Sequence, residues 1–145
     1  MTGTPLRITG GNVAEQWRVV QHMLACRSGG LCECCGLLFV PGLREPSIHH
    51  RRNRGSGGTS RPTVRDLTEL LLLCAGESRR LAGVLGCHGA ITANRYADAA
   101  DRGLTVGKHT DPANVPVVLA SGRRILLDPV GVFYLPAPGP TFHIP

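Results

Sequence analysis

Six cysteines and an adjacent pair of histidines carry the chemistry available to this chain. The cysteines stand at positions 26, 32, 34, 35, 74 and 87. Cys32-Glu33-Cys34-Cys35-Gly36 contains a C-x-x-C knuckle, two thiols on one tight turn with a glycine behind them to relieve the backbone. Such a turn supplies half of a tetrahedral zinc site. Cys74, which closes the apolar run Leu70 to Leu73, and Cys87, directly before His88, are the donors for the other half. Twelve residues separate these two cysteines, room for a short helix or a surface loop that lets both converge. The expected ligands of a structural zinc are therefore Cys32, Cys35, Cys74 and Cys87. Cys34 competes with Cys35 for its place, and Cys26 reads as a buried helix residue. The chain starts without the charged, then apolar pattern of a secretory signal. In that setting, clustered cysteines are metal ligands more often than disulfide partners.

The stretch SIHHRRNRGSGG, residues 47–58, calls for different chemistry. An unperturbed imidazole titrates at about pH 6.5, so it can accept a proton from water at neutrality. A divalent ion beside a phosphodiester offsets the charge that develops on a departing alkoxide. Consecutive side chains on a strand point to opposite faces. His49 and His50 can therefore serve one site only if the second leans in from the strand's end. Arg51, Arg52 and Arg54 follow as contacts for a phosphate backbone, and the glycines behind them let a duplex approach closely. From Arg44 to Arg65, six arginines face a single acid, Glu45, so +5 of the formal +6 charge is concentrated here. Abundant arginine, alanine, glycine and proline also follow from a GC-rich coding sequence. The clustering, more than the count, points to a polyanionic partner such as nucleic acid.

These groups need an α+β framework to hold them. Val13, Trp17, Val20 and Leu24 recur at helical spacing, which predicts an amphipathic helix to about Arg27, stopped by Gly29 and Gly30. Short strands are expected at Leu37–Val40 and Ser47–His50, with a loop from Asn53 to Pro62 and a second helix over 88–100 that Gly103 stops. Beyond it, Val115–Leu119, Arg124–Leu127 and Val132–Leu135 read as a small β extension, with a hairpin turn at Ser121-Gly122 and an irregular tail. No apolar run approaches the roughly 18 residues that cross a bilayer. A cytoplasmic protein without a membrane partner is the expectation.

The ordered motifs "CECCG" (32–36), "IHHRRNRGSGG" (48–58), "LLLLC" (70–74) and "CHGAITANR" (87–95) resemble the HNH endonuclease family. The likeness is particularly to its small zinc-stapled forms from bacteriophages of actinobacteria. "DPANVPVVL" at 111–119 adds a similar C-terminal segment, and the likeness runs in order from about Trp17 to Tyr134. It implies a ββα-metal finger stapled by the four-cysteine zinc. The chain would then divide into an N-terminal arm and helix (1–27), the finger (28–102) and a C-terminal β extension (103–145). It further implies that His49 and His88 bind a catalytic divalent ion (Mg²⁺, Mn²⁺, Ni²⁺ or Zn²⁺). His50 would be the general base, DNA the substrate, and a phage terminase a packaging partner. Two positions depart from the family pattern. Glu69 stands where the family has asparagine, and a catalytic role for it would be to bind the cation or hydrogen-bond His50. Thr92 replaces a further histidine. Those departures favour a rival reading, a zinc module that binds nucleic acid without cutting it.

Overall fold

The computed structural model describes residues 11–52, 66–75, 86–130 and 132–138. Helix α1 (Val13–Ser28) opens on a capping box. The Asn12 side chain accepts from the Glu15 amide at 2.9 Å, and the Glu15 carboxylate accepts from the Asn12 amide at 3.2 Å. Val20 and Leu24 are fully buried and Trp17 packs beside them, as the helical spacing predicts, whereas Val13 stays exposed. Cys26 is exposed, not buried. At about 100° per residue it falls on the outward face with Glu15, Val19 and His22, and its sulfur lies 3.7 Å from the His22 ring.

Strands β1 (Pro46–His50) and β2 (Leu70–Cys74) pair antiparallel, with Pro46 opposite Cys74 and His50 opposite Leu70. A 3₁₀ turn at Leu67–Glu69 leads into β2. The run Leu70 to Leu73 is apolar on both faces because both are covered. Leu70 and Leu72 pack against α1, while Leu71 and Leu73 face the cysteines, Ile91 and Leu104. The expected strand at Leu37–Val40 is only two isolated bridges, Leu31 to Leu38 and Val40 to Arg44. Leu37 and Leu38 are both exposed, so no buried face holds that segment straight.

Helix α2 (Cys87–Thr92) is much shorter than its sequence predicts. Asn94 turns left-handed, at φ 54°, and the chain leaves the helix there. Three strands follow, β3 (Val117–Val118), β4 (Arg124–Leu127) and β5 (Tyr134–Pro136), antiparallel in that order. The turn at Ser121-Gly122 forms as expected, with Gly122 at φ 85°. Val117, Ile125 and Leu127 share one apolar cluster with Leu71, Leu73 and the buried cysteines. The result is a mixed helix-and-sheet fold in which α1 covers one face of the β1–β2 hairpin. The second helix, the knuckle and the C-terminal sheet cover the other. No described helix is long and apolar enough to cross a membrane. The loop expected at 53–62 and the end of the tail lie outside the described residues.

Candidate metal centre and histidine cleft

Cys32, Cys35, Cys74 and Cys87 bring their sulfurs within 4.8 Å of one another. Zinc–thiolate bonds of about 2.3 Å in a tetrahedron place sulfurs about 3.8 Å apart, so a metal ion fits this group with small side-chain adjustments. Three separate segments build it. The knuckle turns at Gly36, at φ 74°, with the Gly36 amide donating to the Cys32 carbonyl at 2.9 Å. Cys74 is held by its strand, and Cys87 opens α2. The amides of Cys74 and Cys87 point at the sulfurs of Cys32 (3.3 Å) and Cys74 (3.2 Å), bonds that strengthen when sulfur is charged.

Hydrogen bonds from the Cys74 and Cys87 thiols hold Cys32 well below the ordinary thiol range. Bonding to Cys32 in turn pushes Cys74 up to about 11, and Cys87 is raised further by the same neighbour. One thiolate thus forms readily, and the next ones form when a cation offsets their charge. Cys35, rather than Cys34, completes the group. The Cys34 sulfur lies 3.6 Å from the Arg102 guanidinium, which also donates to the Cys34 and Val118 carbonyls at 2.7 and 2.9 Å and to the Tyr96 hydroxyl.

The residue between the ligands, Glu33, anchors the knuckle. Its amide donates to the Leu72 carbonyl at 2.9 Å, and its carboxylate accepts from the Leu72 amide at 2.8 Å, so it occupies the free edge of β2. The same carboxylate takes two bonds from Arg27, at 3.1 and 2.7 Å, and one from the Tyr134 hydroxyl at 2.8 Å. Burial and the neighbouring Glu33 charge keep that phenol protonated. Sequence reading missed this network, since glutamate at an interior position of a knuckle gives no sign of burial.

His49 and His88 meet across the hairpin–helix junction, with ring centroids 5.3 Å apart and planes at 73°. The ring of His49 reaches the Leu104 carbonyl through Nε2 at 2.8 Å. A carbonyl only accepts, so Nε2 carries the proton and the lone pair sits on Nδ1. Burial lowers the His49 pKa to about 4 and lowers that of His88 as well, so both rings are neutral at physiological pH. His88 Nδ1 lies 2.7 Å from the Ser47 hydroxyl. Ser47 shares a strand face with His49, an i, i+2 relation that the sequence displays but that had no partner until α2 folded over it.

A cation about 2.1 Å from one nitrogen of each ring requires centroids roughly 5 Å apart, a separation this pair meets. Metal-binding histidines characteristically fix the second ring nitrogen on a carbonyl or other outer partner, as both do here. A cleft of about 490 Å³ opens at this pair, bordered also by His50, Thr92, Asn94, Thr105 and Val106.

His50 behaves differently from His49. Strand alternation turns its ring to the α1 side, edge-on to Trp17 with centroids 5.7 Å apart, while the residue still borders the cleft. Glu69 is buried and receives two bonds from Arg52, at 3.2 and 3.1 Å, so much of its carboxylate faces a guanidinium. The expectation that Arg51 grips a nucleic-acid backbone is overturned. Arg51 is 1% exposed and donates to the carbonyls of Gly103, Thr68, Pro112 and Val115, each at 2.8 Å. Pairing with Glu69 also engages Arg52, and Arg54 lies outside the described residues. Comparison with known proteins found no matching family model, no matching characterised protein and no matching solved structure.

Proposed function

We propose that this chain is a metal-dependent endonuclease of the HNH type that hydrolyses phosphodiester bonds in DNA. The observation that carries this reading is the His49–His88 pair. Two neutral imidazoles meet edge-on at a cleft, with one nitrogen of His49 fixed on Leu104 and one nitrogen of His88 fixed on Ser47. The order strand, strand, helix that delivers them is the order the family resemblance implies. His49 and His88 hold a divalent cation, which when bound stabilises the negative charge on the phosphate and the leaving oxygen. His50, at the strand's end, takes the proton from the attacking water once its ring swings from Trp17 into the cleft the residue borders. The four cysteines hold a structural zinc that fixes the start of α2, and so the position of His88. DNA is the substrate of this reading, and a phage packaging enzyme is the natural partner of such a nuclease.

Supercoiled-plasmid cleavage tests the reading, with Mg²⁺, Mn²⁺, Ni²⁺ or a chelator, beside His50→Ala and His88→Ala variants. The expected result is metal-dependent nicking that falls by about 100-fold or more in either variant. One observation favours the rival reading of a zinc module that binds nucleic acid without cutting: Glu69, at the family's asparagine position, is tied to Arg52. In that case folded, zinc-loaded protein binds DNA in a salt-dependent manner and cuts with none of the metals.

A further inference from the structure

Glycine occupies the left-handed backbone region at every described position but one. Seven described glycines, from Gly11 to Gly122, have φ between 67° and 85°, and the single described residue with a side chain there is Asn94, at 54°. Asn94 ends α2 in a Schellman motif. Its amide donates to the Ile91 carbonyl at 3.1 Å, and the Arg95 amide donates to the Ala90 carbonyl at 2.8 Å. The matching place at the end of α1 is held by Gly29, with the Gly30 amide donating to the Ala25 carbonyl at 3.0 Å. Glycine meets no steric penalty in this conformation, whereas asparagine only tolerates it. Asparagine is the ordinary alternative to glycine at this place, and here it leaves an exposed side chain open to a use that glycine would not offer.

Position supplies that use. Asn94 borders the same cleft as His49 and His88, on the element that carries His88. The pair gives two nitrogen donors, and an amide carbonyl oxygen is a neutral donor suited to hard divalent ions. We propose that the Asn94 carboxamide oxygen is a third protein donor to the divalent cation of the His49–His88 pair, presented by the left-handed turn that ends α2. This inference rests on reading the histidine pair as a cation site.

Mn²⁺ titration of the full, zinc-loaded chain tests it by calorimetry. Asn94→Gly keeps the left-handed turn and removes only the carboxamide. Asn94→Asp keeps an oxygen in place. The expected result is Mn²⁺ affinity about tenfold weaker or more in Asn94→Gly. Its thermal midpoint stays at or above that of the parent, and Asn94→Asp binds at least as tightly as the parent. Unchanged affinity in Asn94→Gly overturns the proposal, as does a loss that Asn94→Asp fails to restore. His49→Ala and His88→Ala separate the two levels. If both abolish Mn²⁺ binding while Asn94→Gly does not, only the asparagine assignment falls. If both bind like the parent, the cation site falls with it.

Discussion

A guanidinium enclosed by four backbone carbonyls, as at Arg51, can neither lose its charge nor leave without large cost. Burial lowers its pKa to about 10, which still leaves it charged at neutral pH. Its bonds to Thr68, Gly103, Pro112 and Val115 tie together segments that no regular ladder connects. They also set the wall of the histidine cleft, because the Val106 amide donates to the Arg51 carbonyl at 2.8 Å. Arg51→Ala strands those carbonyls in the interior. It should destabilise the fold by about 3–5 kcal/mol, a loss that chemical denaturation measures directly. Local sequence could not place this side chain inside. An arginine in the run Arg51-Arg52-Asn53-Arg54 reads as a solvated basic edge, and its carbonyl partners lie 17 to 64 residues away. Ser47 was hidden for the same reason, with His88 41 residues downstream.

At the scale of elements, the junction of β2 with α2 decides both the four-cysteine group and the histidine pair. Gly86 lies so close to the strand's end that an added Cβ would stand 1.7 Å from the Ala75 carbonyl oxygen. That approach lets the Cys87 amide reach the Cys74 sulfur and turns His88 toward His49. Gly86→Ala should therefore push α2 outward and reduce bound metal, read as zinc content per folded chain after gel filtration. The first helix was legible because Val20 and Leu24 follow a 3.6-residue period and Asn12 and Glu15 form a local cap. The length of α2 was not. HGAITANRYADAA keeps a helical pattern, and the left-handed turn at Asn94 overrides it through bonds to Ala90 and Ile91. The β1–β2 pairing was not legible, because Leu70 to Leu73 is apolar throughout and carries no strand alternation. The face each histidine takes followed from register, which seats His49 opposite Leu71 and His50 opposite Leu70.

For the whole molecule, the four-cysteine group is the point where the knuckle, the hairpin and α2 meet, and the C-terminal strands lie in the same apolar cluster. Removing its metal should loosen all of these together. A strong thiophilic chelator is expected to release about one metal ion per chain and to abolish the cooperative thermal transition seen by circular dichroism. A fold that stays intact with the metal gone would assign its stability to the apolar clusters alone. The sequence by itself determined that Cys32, Cys74 and Cys87 gather with one more knuckle thiol, that an amphipathic helix runs from Val13, and that a turn falls at Ser121-Gly122. Those features depend on donor chemistry and on periods a few residues long. Only the tertiary structure decided that Arg51 and Glu33 lie inside, that His50 turns toward Trp17, and that Ser47 and Leu104 orient the histidine pair. Each of these is a contact between groups whose sequence neighbours carry no trace of the other partner.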